Sequence, residues 1–434
     1  MKWTASLAIT LAAVRQASAT NSTSCTPRLM SYWINANASI SVVEPVDGAG
    51  SFGEVGNIAF PNNVTNLPSL CAVSFIAKTS EGNEYKFGLF LPDEWNNKML
   101  TVGNDGFSGS INWPAMGAGS WRIARGVSNL PTDDAKHISA GNFTVIGDNV
   151  RKQCDAADGV EDGIVSDPAN CTVDFALFTC GQEGVDAQAC LTTEQVTIAQ
   201  SIYADYNVSD EIVFPGVNPG SEYEWGALLG DEPNEVAVGY MRNFVFNDAE
   251  WAWSSYNETV PAYANDTNPG ELDVNSFNLT RFSSLGGKII MYHGLADAHI
   301  PATASRHYYD KVVAQSGGDI EAVRGWFRLF FLPGVGHKNT TVDAPWYIGG
   351  PGQAEQLIGG GNFTVPSNAT NNALYALQLW VESGTAPESI IASTWTNSTD
   401  PSTELLRQRP ICPYPATQKY IGEGEQSKPE SFVC

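Results

Sequence analysis

The stretch PGVGHKNTT, residues 333–341, sets His337 in a glycine-rich bend directly after the apolar run RLFFLP. Earlier in the chain Asp297 follows the apolar run KIIMYH. An imidazole that takes a proton from a nucleophile works with a carboxylate behind it, which fixes its tautomer and stabilises its charged form. Both runs read as strands, so the two groups project from the C-terminal ends of neighbouring strands, where ligands and catalytic groups of open α/β sheets gather. Aspartate then histidine is the acid-then-base order of a hydrolase triad on such a sheet. A capping aspartate and a solvated loop histidine fit the same residues.

A second group lies in CDAADGVEDGI, residues 154–164, where Asp155, Asp158 and Asp162 alternate with Gly159 and Gly163. Calcium takes several oxygens at once, and closely spaced carboxylates on glycine-permitted bends can turn inward together. The spacing is not that of an EF-hand, and a solvated acidic turn is the competing reading. Cys154 and Cys171 flank the loop and can staple it, which reduces the entropy cost of gathering like charges.

The elements that must position these groups follow from periodicity. CAVSFIAK, YKFGLFLP and KMLTVGN are short β-branched or aromatic runs broken by Gly, Asn and Pro, and read as strands at one edge of a large sheet. From about Ser120 to Asn278 the chain turns rich in Asp, Asn, Gly, Trp and Cys, as an inserted lid would. Its clearest helix is LTTEQVTIAQSIYADY, capped by Thr192 or Thr193. Strand, helix, strand rhythm returns with KIIMYHGLAD, PATASRHYYDKVVAQSG and WFRLFFLPGVGH, the pattern of a parallel α/β sheet. A further amphipathic helix follows in NNALYALQLWVESG. Trp225, Trp251 and Trp253 in the lid can stack on an aromatic ligand or fill a core.

At 434 residues the chain exceeds what one core usually carries. Its 47 acidic against 23 basic residues give a net charge of −24. That excess repels phosphate backbones and anionic lipid, which argues against nucleic acid or a membrane surface as partner. Residues 1–19 read as a signal peptide with a small-residue site at Ala17-Ser18-Ala19, and no later run is long and apolar enough to span a bilayer. The expectation is a secreted, extracellular protein. Thirteen Asn-x-Ser/Thr sequons, among them Asn63, Asn207, Asn257, Asn339 and Asn397, support a glycoprotein. Eight cysteines fall into local groups that suggest four bridges: Cys25 with Cys71, Cys154 with Cys171, Cys180 with Cys190, and Cys412 with Cys434.

Taken together, LPDEWNNKMLTVGNDGFSGSINWP, CDAADGVEDGIVSDPANC, YHGLADAHIP, FFLPGVGH and RQRPICPYP resemble the tannase and feruloyl esterase family of secreted serine esterases. The resemblance implies an α/β fold, an α/β-hydrolase core at 20–119 and 281–434 with an inserted calcium-binding lid domain at 120–280. It implies Asp297 and His337 as acid and base, and a structural calcium held by Asp155, Asp158, the Val160 carbonyl, Asp162 and the Ile164 carbonyl. The implied partner is a small aromatic ester or the phenolic esters of plant cell walls and tannins.

The chain departs from the family at the nucleophile. The family carries Gly-Cys-Ser-Thr-Gly-Gly, whose cysteine bridges to one directly after the catalytic histidine. Here Lys338 follows His337, and no Gly-Cys-Ser occurs. Ser108 lacks the second glycine of G-x-S-x-G, Ser51 has no strand leading into it, and Ser316 follows Asp297 in the wrong chain order. Gly119 runs almost directly into SWRIARGVSNLPTDD, where the family continues through several strand and helix units, so the core is expected to be incomplete by roughly a hundred residues. Two readings follow. The chain is an incomplete aromatic-ester hydrolase, inactive as written, or a calcium-stabilised pseudoenzyme that binds aromatic ligands without turnover.

Overall fold

The computed structural model describes residues 25–27, 38–53, 63–78, 84–94, 129, 136–208, 211–230, 234–269, 276–337, 346–349, 353, 368–397, 400 and 403–434. The signal segment, the run KMLTVGN, Ser108, the join at Gly119 and Ser120, Lys338 and Asn339 lie outside these residues. The chain divides into two compact units, Met1–Asn112 and Trp113–Cys434.

In the first unit, strands β1 (Ala38–Val46), β4 (Leu70–Lys78) and β5 (Glu84–Pro92) form an antiparallel sheet with β4 in the middle, and the short β2 (Gly50–Phe52) and β3 (Val64–Leu67) pair beside it in sequence. The alternation of Leu70, Ala72 and Cys71, Val73, Phe75 buries apolar side chains on both faces of β4. Phe75 stands opposite Phe87 across the strands, and their rings stack at 4.9 Å. Among the described residues the run CAVSFIAK is the middle strand of this antiparallel sheet. β5 follows β4 by a short connection, as an antiparallel pair allows, whereas β2 and β3 lie between β1 and β4 in sequence.

The second unit holds both the segment read as a lid and the strands that follow it. Helix α1 (Ala140–Cys154) starts at a Ser139 capping box and buries Phe143, Ile146, Val150 and Cys154 along one stripe, as a 3.6-residue period requires. Helix α2 (Thr193–Tyr203) is capped by Thr192, whose side chain accepts from the Gln195 N–H while Gln195 reaches back to the Thr192 N–H. These helices share a core with Trp225, which is fully buried. Trp225 thus fills a core and is not a ligand-stacking surface. Short strands β6 (Tyr206–Val208) and β7 (Glu211–Phe214) form a hairpin beyond α2.

Strand β8 (Ile289–Gly294) pairs in parallel with β9 (Phe327–Leu332), with helices α3 (Ala302–Gln315) and α4 (Ile320–Arg324) between them. This is the strand, helix, strand rhythm anticipated from the sequence. Helix α5 (Ala373–Ser383), capped by Asn372, leads to the antiparallel pair β10 (Ile390–Trp395) and β11 (Leu405–Ile411), and then to β12 (Lys419–Tyr420) with β13 (Phe432–Val433). All four anticipated disulfides are formed.

Candidate active site

Parallel pairing of β8 and β9 brings the two strand ends side by side, because a parallel ladder places both C-termini at the same edge. The loops beyond them are laced together: the Leu295 N–H donates to the Leu332 carbonyl (2.8 Å) and the Ala296 N–H to the Val335 carbonyl (3.0 Å). A glycine ends β8 for a steric reason, since a Cβ at Gly294 would lie 2.1 Å from the Val335 carbonyl oxygen. Asp297 and His337 follow directly, and His337 Nδ1 lies 3.1 Å from Asp297 Oδ2. The tautomer that donates from Nδ1 leaves Nε2 as the proton acceptor, the arrangement a general base needs.

Asp297 is 5% exposed. Its Oδ1 accepts from the Ile300 N–H (2.8 Å), and its Oδ2 is shared by His337 and by His293 Nε2 (3.1 Å). Burial alone raises a carboxyl, but the hydrogen bonds and charges of the two histidines overcome it and hold Asp297 well below the ordinary range. His293 is fixed in turn by Ser305, whose Oγ is 2.7 Å from Nδ1. His299 stacks on His337, ring centroids 4.9 Å apart.

The sequence did not single out Glu224. It sits in a 3₁₀ turn, Glu222–Ala227, and is 8% exposed. Its Oε2 accepts from the Ala298 N–H (3.0 Å) and its Oε1 from the His337 N–H (2.9 Å). Burial is the main cause that pushes its carboxyl up, and the nearby Asp297 charge adds to this against the two N–H bonds. The signal that could have found it is two glutamates enclosed in the otherwise apolar run around Trp225, since buried acids are seldom without partners.

The acidic loop forms as the glycines suggested: Gly159 and Gly163 take φ of 90° and 81°. Asp155 accepts from the N–H groups of Asp162, Gly163 and Ile164, and Asp158 from that of Val160. Asp162 Oδ2 lies 3.0 Å from Arg407 and 3.2 Å from Arg409 on β11. Burial raises the carboxyls of Asp158 and Asp162 above the usual range, and the other acids of the loop add to it. Among the described residues no three His, Cys, Asp or Glu side chains are placed together to hold a metal as they stand. The donor set nonetheless suits a hard cation in one respect: Asp162 Oδ1 is buried without a hydrogen-bond partner, the condition in which a carboxylate oxygen has most to gain from a cation.

The sequence profile described as tannase and feruloyl esterase matches residues 120–434. Among curated proteins, a probable feruloyl esterase B-2 of Aspergillus terreus is 29% identical over 307 residues, 70% of this chain and 56% of that protein. A probable feruloyl esterase B-1 of Aspergillus flavus is 28% identical over 309 residues, again 70% and 56%. The chain thus spans about half the length of the curated relatives it matches. Of solved structures, feruloyl esterase B from Aspergillus oryzae superposes with a TM-score of 0.82 at 20% identity, over 95% of this chain and 99% of that one. Tannin acyl hydrolase from Aspergillus niger gives 0.64 at 16% identity, over 92% and 94%. These likenesses establish an α/β-hydrolase-type fold.

Proposed function

The chain belongs to the tannase and feruloyl esterase family, and from that premise we propose that it descends from a secreted carboxylic ester hydrolase of aromatic, phenolic acid esters, with Asp297 as acid and His337 as base. The observation that carries the reading is the 3.1 Å contact between these side chains at the ends of two parallel strands. The substrate would be a small aromatic ester or a phenolic ester of plant cell walls or tannins. Asp297 orients the imidazole and stabilises its protonated form, and His337 takes the proton of a hydroxyl. No Gly-Cys-Ser supplies that hydroxyl. The profile match begins at residue 120, where the nucleophile segment is expected to be missing, and β8 has only β9 as a partner strand among the described residues.

A structural calcium would be held by Asp155, Asp158, Asp162 and the Val160 and Ile164 carbonyls, where it would offset the carboxylate charge of the loop. The four disulfides support an oxidising compartment, and a signal at 1–19 with glycans on the sequons completes the secreted reading.

The pseudoenzyme reading draws on one observation: the acid, the base and their supports are assembled although the Gly-Cys-Ser motif is absent. The two readings part in one experiment. The chain is assayed on methyl ferulate and methyl gallate beside a version carrying the family's nucleophile segment between Gly119 and Ser120. The chain as given should stay at background, and the restored version should hydrolyse ester in a manner that His337→Ala abolishes. Inactivity of the restored version, with ferulate still bound by the original chain, would select the pseudoenzyme. Turnover by the original chain that a fluorophosphonate probe traces to Ser305, the serine bonded to His293 beside Asp297, would overturn the account of the gap.

A further inference from the structure

Glu224 reaches the two strand ends from a segment remote in sequence, and it touches each at the point that matters. Ala298, whose N–H it accepts at 3.0 Å, is the residue after Asp297. The other N–H, at 2.9 Å, is that of His337 itself. The ladder between the loops, Leu295 to Leu332 and Ala296 to Val335, stops short of both side chains. Beyond it, the Glu224 carboxylate is what bridges the backbones of acid and base.

The residue type is specific to that task. Two N–H groups converging on one side chain call for two acceptor atoms and no donor, and among side chains only a carboxylate offers this. Glutamine would turn an N–H against one of them. The approach also explains Gly336: a Cβ there would lie 2.2 Å from Glu224 Oε1 and 2.7 Å from the Tyr223 hydroxyl. Burying the acid is costly, and raises its carboxyl, so the two N–H bonds offset a penalty that a polar residue on the surface would not meet.

We propose that Glu224 is a positioning residue that sets the register of His337 on Asp297, by holding the backbones of both loops on its two carboxylate oxygens. The assignment rests on the reading of these two residues as base and acid, but its test needs no turnover. The full chain is labelled with ¹⁵N-histidine, and the Nδ1–H proton bonded to Asp297 is identified as the downfield resonance missing from His337→Gln. In Glu224→Gln this proton should exchange with water at least about tenfold faster, the loss of roughly one hydrogen bond's worth of restraint. The remaining histidine signals should stay in place. Gly336→Ala should do the same from the other side by displacing the carboxylate, which keeps the idea testable if Glu224→Gln folds poorly. Unchanged exchange in a folded Glu224→Gln or Gly336→Ala protein would show that the register is set elsewhere. An inactive restored enzyme with accelerated exchange in these variants would refute the esterase reading and leave the positioning role standing.

Discussion

Asp297 and Asp162 are both aspartates withdrawn from water in the same unit, yet they are pushed in opposite directions. Asp297 accepts one backbone N–H and two imidazoles, and is held charged. Asp162 faces two guanidinium groups through one oxygen, leaves the other without a partner, and is pushed toward its neutral form by burial. The difference between them is that donors reach both oxygens of Asp297, whereas the guanidinium groups serve one oxygen of Asp162 and leave the other bare. Of the two positive partners of Asp162, Arg409 is itself 2% exposed and depends on the aspartate as much as it serves it.

The largest effect that contrast predicts is at Asp162. Replacing it by Ala takes the carboxylate from Arg407 and Arg409, leaving Arg409 its bonds to the Gln408 and Gln426 carbonyls, and should cost about 3–5 kcal/mol of stability as a broken buried pair, measured by denaturant unfolding. A loss under about 1 kcal/mol would mean that water already compensates the arginines. Next is calcium. At about a hundred times its dissociation constant it should add about 2.7 kcal/mol at neutral pH, and Asp158→Ala should remove the gain in thermal melts. Because burial raises the carboxyls of Asp158 and Asp162, the cost of their charge is present above their folded-state titration and is relieved as pH falls through it. The calcium increment should therefore shrink on acidification, and an increment constant from pH 7 to pH 4 would place the ion elsewhere.

Asp297→Asn comes third, at about 1.5–3 kcal/mol, since the amide cannot serve Ile300, His293 and His337 as the carboxylate does. Asp297 is held below the usual range, so its contribution is present above about pH 4 and lost on further acidification. The variant's deficit should vanish in acid, the reverse of what is expected in the loop. The smallest effect is His337→Ala, within about 1 kcal/mol, because its side chain is 32% exposed. A larger loss would make the histidine structural and weaken its reading as a base.

What could be read from the sequence was whatever repeats or sits close along the chain. Apolar runs ending in Asp297 and His337 announced two strand ends, glycines announced the bends of the acidic loop, and cysteine spacing announced the bridges. The parts that escaped depend on approach in space. Glu224 and the His337 N–H are 113 residues apart, and Arg407 and Asp162 are 245 apart, with no period to connect either pair. His293 lies within the apolar run KIIMYH and looked like part of a strand, and only the turn at Gly294 brings it back onto Asp297. The sheet to which the front strands belong was not legible for a related reason: alternation reports that a strand is buried, not which sheet it joins.

The bridges have a consequence for the order of events at synthesis. Their loops span 46, 17, 10 and 22 residues and succeed one another along the chain, none straddling another. Each cysteine's partner is the next cysteine to emerge, so a bridge can close before a competing thiol has been made. Oxidation in chain order then yields the native pairing out of 105 possible ones without later reshuffling.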